Sequence, residues 1–366
     1  MIRIDTDGES RAEIYQLTDG PRPTDNIYGE QPYSSPDSRW IAVRHYREGD
    51  EDGGLSLVNL EDGSLAPVLT TMPRFPAFHP WSEYLYYQEE AGGHLVLKRC
   101  RYETREKEEV LGLPSEEGRF SYGTVSADHR YYAASVHRDD YGAQVLAIEI
   151  ASGEQAVLAR NAEQYYKHEQ FSSDGTNRVL IQANGAETRV VNLGVMAVDG
   201  EGIEWLPVDA PPLVDYGHWP GGERHTPRCT GHESWIGQTD RVFLSTGADE
   251  ERGTNIWTAG LGDAAPQPVN ADGHRFGHVS VSRCGRYWIA DAGGEDGVPI
   301  YAGSFAAGTC RHLLDSKTVH DGQQWSHTHP YLTADNNWLI FTSTRQGVPQ
   351  VFGARVPGEF WAELGG

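Results

Sequence analysis

An all-β, seven-bladed β-propeller is the fold this sequence predicts, on three observations: a polar turn leading into a short apolar strand recurs seven times, the recurrence has blade length, and the composition favours turns and strands. The unit is plain in Ser35-Pro36-Asp37-Ser38-Arg39-Trp40-Ile41-Ala42-Val43, in Ser126-Ala127-Asp128-His129-Arg130-Tyr131-Tyr132-Ala133 and in Thr333-Ala334-Asp335-Asn336-Asn337-Trp338-Leu339-Ile340-Phe341. The central turn residues of the seven copies, at 37, 82, 128, 174, 238, 284 and 335, stand 45, 46, 46, 64, 46 and 51 residues apart. A four-stranded antiparallel blade takes about 40 to 50 residues. The 42 glycines, 18 tyrosines and 10 tryptophans supply the turn formers and strand-favouring aromatics.

After most copies comes a second alternating strand closed by a turn, as in Leu55-Ser56-Leu57-Val58-Asn59-Leu60-Glu61-Asp62-Gly63, so each unit is a run of antiparallel hairpins. The whole chain, 1–366, reads as one propeller domain. Its ring is expected to close through the N-terminus, because Ile14-Tyr15-Gln16-Leu17-Thr18-Asp19 resembles Ala66-Pro67-Val68-Leu69-Thr70-Thr71, which ends the first unit. That segment should pair with the strand at 351–356. The one long step, of 64 residues, holds an insertion around 203–228 that includes a Pro-rich stretch. Long loops on a rigid scaffold carry function, so the insertion is expected to border the site.

A net charge of -23 argues against nucleic acid or an anionic membrane as partner, since both need a basic face. An acidic ligand would need local cations. Cys100, Cys229, Cys284 and Cys310 are widely spaced without a CxxC pair, and are read as reduced thiols. Residues 1–7 show no basic stretch followed by an apolar run, and no segment approaches the ~18 apolar residues of a membrane span, so a cytoplasmic protein is expected.

Chemistry concentrates near the end of the chain. Gln324-Trp325-Ser326-His327-Thr328-His329 places three potential metal ligands in six residues, and if the run is extended, His327 and His329 point to one face. Imidazole is the commonest side-chain metal ligand, and a carboxamide oxygen suits a manganese-type divalent ion. His168, His232, His278 and His329 hold equivalent places in their units, just before the inner part of a blade, where a propeller gathers residues distant in sequence. His45, His79, His94, His129, His137, His274, His312 and His320 lack such support and are read as turn or surface residues.

Together, Cys229-Thr230-Gly231-His232-Glu233-Ser234-Trp235, Gly277-His278-Val279, Gln324-Trp325-Ser326-His327-Thr328-His329-Pro330 and Leu339-Ile340-Phe341-Thr342-Ser343 resemble the oligogalacturonate lyases, seven-bladed propellers of a polysaccharide lyase family. The resemblance covers roughly the last 140 residues, the Gln-x-x-His-x-His motif being its sharpest part. It implies a Mn2+ or similar divalent ion held by His278, Gln324, His327 and His329, with His232 as catalytic base. It also implies an arginine on the strand before the base, but that position falls near Asn192. Arg189 is the nearest arginine, and Arg224 and Arg228 lie just ahead of His232. Arg189 and Arg228 are therefore candidate catalytic residues, and Arg224, Trp235 and His168 candidate substrate contacts.

The activity so implied is β-elimination on short uronate-containing, pectin-derived oligosaccharides, with a small acidic oligosaccharide as partner. Two alternatives stay open: a lyase for another uronate linkage, glucuronate- or rhamnose-linked, and a non-catalytic propeller that binds partners or glycans. No GxSxG elbow, P-loop or dinucleotide fingerprint follows a strand, so serine hydrolase, NTPase and dehydrogenase readings lack their mechanical parts.

Overall fold

In four of the seven copies the repeated turn is a side-chain clasp. Ser35 Oγ donates to Asp37 Oδ1 (2.5 Å) and accepts from the Trp40 amide (2.9 Å), while Asp37 accepts from the Arg39 amide (3.1 Å). The same hydroxyl-to-acid contact joins Ser126 with Asp128, Ser172 with Asp174 and Thr333 with Asp335. Closing the clasp puts the residue after the acid in the left-handed region: Ser38 has φ 59°, His129 60°, Gly175 78° and Asn336 63°. Glycine and asparagine reach that region at least cost, which is why the turns are rich in them.

A computed structural model describes the chain apart from residues 48–52, 71–75, 80, 139–141, 186–190, 201, 209–228, 247–253, 270–272, 294–296, 321 and 366. Seven antiparallel sheets follow one another as the blades of a propeller. Blade 1 comprises Thr24–Asp25, Trp40–His45, Gly54–Asn59 and Leu65–Leu69. The inner strands of blades 4, 5 and 6 are Gln164–Phe171, Cys229–Trp235 and Phe276–Val281. Blade 7 runs Tyr331–Leu332, Trp338–Ser343 and Gln350–Arg355, and Glu13–Gln16 then pairs with its third strand, Glu13 opposite Arg355 and Gln16 opposite Phe352. The expected N-terminal closure is therefore present, and Ile2–Thr6 adds a fifth strand outside it that the sequence did not suggest.

The apolar core is divided among the gaps between blades. Seven buried clusters are each shared by two neighbours; the one that seals the ring sets Ile41, Val43 and Val58 of blade 1 against Tyr331, Ile340 and Val351 of blade 7. A C-terminal helix, Gly358–Leu364, was not foreseen and buries Phe360, Trp361 and Leu364 on the blade 6–7 cluster. No helix among the described residues is long and apolar enough to cross a membrane.

Ile14 on the closing strand is 3% exposed and belongs to the same cluster, whereas Ile2 on the outermost strand is 68% exposed. Ile14→Ala is expected to cost about 2–5 kcal/mol in urea unfolding, for lost burial plus a cavity. Ile2→Ala should stay within about 0.5 kcal/mol of the parent. Equal costs for the two would mean that the N-terminal strand contributes nothing to holding the ring shut.

Candidate metal centre and active site

Three of the inner strands are interrupted where a histidine sits. Register shifts fall between Lys167 and Gln170, between Cys229 and Glu233, and between Phe276 and Val279, so His168, His232 and His278 each lie within a bulge. A bulge leaves a residue out of the ladder and re-aims its side chain, here toward one axial cavity of about 460 Å³.

The fourth contribution comes from the segment before blade 7. It is not the extended strand expected: Gln324–Ser326 is a single 3-10 turn, and His329 adopts φ 41°. A left-handed residue and a tight turn bring His327 and His329 together by folding the chain over rather than by strand alternation. The ligating nitrogens of His278, His327 and His329 lie within 4.8 Å of one another. His278 Nε2 and His327 Nδ1 are 3.1 Å apart, and the Gln324 amide is 3.0 Å from His329 Nε2. Turning that amide over presents its oxygen at the same place.

Asp291, on the neighbouring strand of blade 6, organises the cluster. Its carboxylate accepts from His278 Nδ1 (2.7 Å), from the His278 amide (2.8 Å) and from the Thr328 hydroxyl. Burial alone would raise the Asp291 acid, yet these partners hold it well below the usual carboxylate range. Burial pushes His278 down, but Asp291 outweighs it and holds that imidazole above its ordinary value. Burial, with His278 and His320 nearby, pushes His327 down to about 4, and burial, with His278 and His327 nearby, pushes His329 well below the normal range, so both are neutral at neutral pH.

This donor set fits a divalent ion. His278 Nδ1 is committed to Asp291, which leaves Nε2 as the nitrogen facing a second imidazole nitrogen. His329 Nδ1 is buried without a hydrogen-bond partner among the described residues. Converging lone pairs in a buried place call for a shared cation or proton.

His232 stands beside the cluster, its ring centroid 4.4 Å from that of His278. Its Nδ1 is 2.6 Å from Glu30 Oε1, a buried carboxylate on the segment after the first strand of blade 1. That contact assigns the Nδ1 proton to Glu30 and leaves Nε2 as the basic nitrogen. His168 lines the same cavity, edge-on to Tyr28 at 5.1 Å. Arg44, Tyr122 and Lys167 complete the wall with cationic and phenolic groups.

An oligogalacturonate lyase in complex with manganese superposes with a TM-score of 0.75 and 17% identity, over 98% of this chain and 96% of that one. This chain is similar in fold to the oligogalacturonate lyases. A second such lyase, from Vibrio parahaemolyticus, gives a TM-score of 0.71 and 17% identity over 97% of each chain. The β-propeller domain of the trilobed protease from Pyrococcus furiosus gives 0.54 and 10% identity, over 89% of this chain and 94% of that one, so the ring architecture extends beyond lyases. No family sequence model matches the chain, and no curated protein does. At 17% identity the likeness to the oligogalacturonate lyases concerns the fold, and the chemistry of the site rests on its own residues.

The expected residues fare unequally. His168, His232, His278, Gln324 and His327 share the cavity, with His329 buried behind them. Trp235, expected as a substrate contact, is corrected to a core residue: it is 7% exposed, packs in the blade 4–5 cluster and donates its indole N–H to Gln170 O. Arg189, Arg224 and Arg228 lie outside the described residues, as does most of the insertion around 203–228. His320, read as a surface residue, stacks on His327 at 5.0 Å, and both ring nitrogens of His79 are buried. Sequence reasoning missed Glu30, Asp291, Arg44, Lys167 and Tyr28. Asp291 alone had a local signal, a carboxylate on the strand paired with that of His278.

Proposed function

We propose that this propeller is a metal-dependent lyase that cleaves short uronate-containing oligosaccharides of the oligogalacturonate type by β-elimination. The observation that carries the reading is the contact between His232 and His278, which sets a histidine base directly beside a three-imidazole cluster in one cavity. A divalent ion of the manganese type, held by His278, His327, His329 and Gln324, would supply Lewis-acid stabilisation for charge developing on the uronate carboxylate.

The chain's own groups do the rest. Glu30 holds the His232 ring by Nδ1, so that Nε2 takes the C5 proton of the uronate; the C–H electron pair becomes the C4=C5 double bond as the C4–O4 bond breaks, and its electron pair leaves on O4, which is protonated from solvent. The Lys167 cation offsets the acidic character of the molecule where an anionic sugar must enter, and the Arg44 guanidinium offers hydrogen-bond donors there.

The test is incubation of manganese-loaded protein with di- and trigalacturonate while following the ultraviolet absorbance of the conjugated product. Neither product nor bound metal would leave a propeller with a binding role. Asn192, where the lyases' arginine was expected, favours a second reading within the same chemistry, a different uronate linkage. Glucuronate- and rhamnose-linked uronates therefore belong in the same screen.

A further inference from the structure

Arg44 is 6% exposed on Trp40–His45, and a buried guanidinium must be paired and hydrogen-bonded to be tolerated there. Its Nε donates to Asp25 Oδ1 (3.1 Å) and its Nη2 to Asp25 Oδ2 (2.6 Å) and Ile27 O (3.4 Å). Asp25 is itself fixed by the Tyr46 hydroxyl (2.7 Å), and the guanidinium lies over the Tyr46 ring at 4.8 Å. Tyr46 in turn meets Trp325, next to Gln324, edge-on at 4.8 Å. These contacts lock one edge of the fork. On the other edge Nη1 makes one long contact, 3.5 Å to the Tyr122 hydroxyl, and its second hydrogen has no acceptor among the described residues. Arg44 and Tyr122 line the cavity with His232, His278 and His327, whereas Asp25 and Tyr46 do not.

We propose that Arg44, on the second strand of blade 1, is the arginine that recognises the uronate carboxylate in this protein. The inference rests on the lyase reading and deepens it by naming a specificity-determining residue. Asp25 acts from behind as a clamp, so the free Nη1 donor is presented already ordered, and little rotamer entropy is lost when an anion arrives. Lys167, exposed on the blade 4 bulge, adds a second cation to the same cavity.

The test compares manganese-loaded wild type with Arg44→Lys, which keeps a charge opposite Asp25 but loses the fork, and with the double variant Asp25→Asn/Arg44→Gln, which leaves no unpaired buried charge if the single change fails to fold. Removing a hydrogen bond to a charged group should lower kcat/KM on digalacturonate by about 10–100-fold in each variant that folds, with manganese affinity unchanged. In wild type, galacturonate but not galactose should shift the Arg44 side-chain NMR resonances. A kcat/KM within about two-fold of wild type in every folded variant, or no resonance shift, overturns the proposal. Wild type that neither cleaves nor binds uronates would sink the lyase reading itself, and the proposal with it, before any variant is made.

Discussion

His232→Ala is expected to retain the metal ion and lose turnover. His232 lies outside the group of three imidazoles whose nitrogens converge within 4.8 Å, so its removal leaves that donor set and its Asp291 support in place. What disappears is the nitrogen opposite Glu30, the group placed to take a proton. Loss of a general base costs about 10²- to 10⁴-fold in kcat. Steady-state kinetics, with metal content measured on the same samples, check both halves of the expectation. Undiminished kcat in the variant would remove His232 from the chemistry. A metal-free variant would place it among the ligands instead. Glu30→Gln is the companion experiment: an amide oxygen still accepts the Nδ1 proton, so this variant should keep more activity than His232→Ala.

Features that could be read in the sequence depend on contacts between near neighbours. The Ser35–Asp37 clasp closes within a few residues, and the turn-and-strand unit it belongs to recurs every 45 to 51 residues in all but one step of the ring. Gln324, His327 and His329 stood out as candidate ligands for the same reason. Their conformation was not readable, since alternation predicts a strand and the left-handed His329 replaces it. Residues supplied from across the ring stayed hidden. Glu30 meets His232 across 202 residues, and Asn26 donates to His329 O across 303. No periodicity records such pairs, because closure of the propeller creates them. Gly358–Leu364 escaped notice because seven residues carry too little helical pattern, and its place is set by packing on blades 6 and 7.

His327→Ala should release the ion altogether, and the contrast with Asp291→Asn shows why. His327 presents its Nδ1 3.1 Å from His278 Nε2, so its loss opens one side of a cluster that cannot be refilled by a methyl group. Asp291 is not one of the three side chains that converge. It holds the His278 ring by Nδ1 and the following turn through Thr328, setting the tautomer and direction of a ligand. Neutralising such a partner typically weakens metal binding by about 10–100-fold without abolishing it. Manganese titrations should therefore show binding lost in His327→Ala and weakened in Asp291→Asn, with activity in the latter recovered at high manganese. Tight manganese binding by His327→Ala would break the cluster as a metal centre, and the role proposed for a divalent ion in the elimination would go with it.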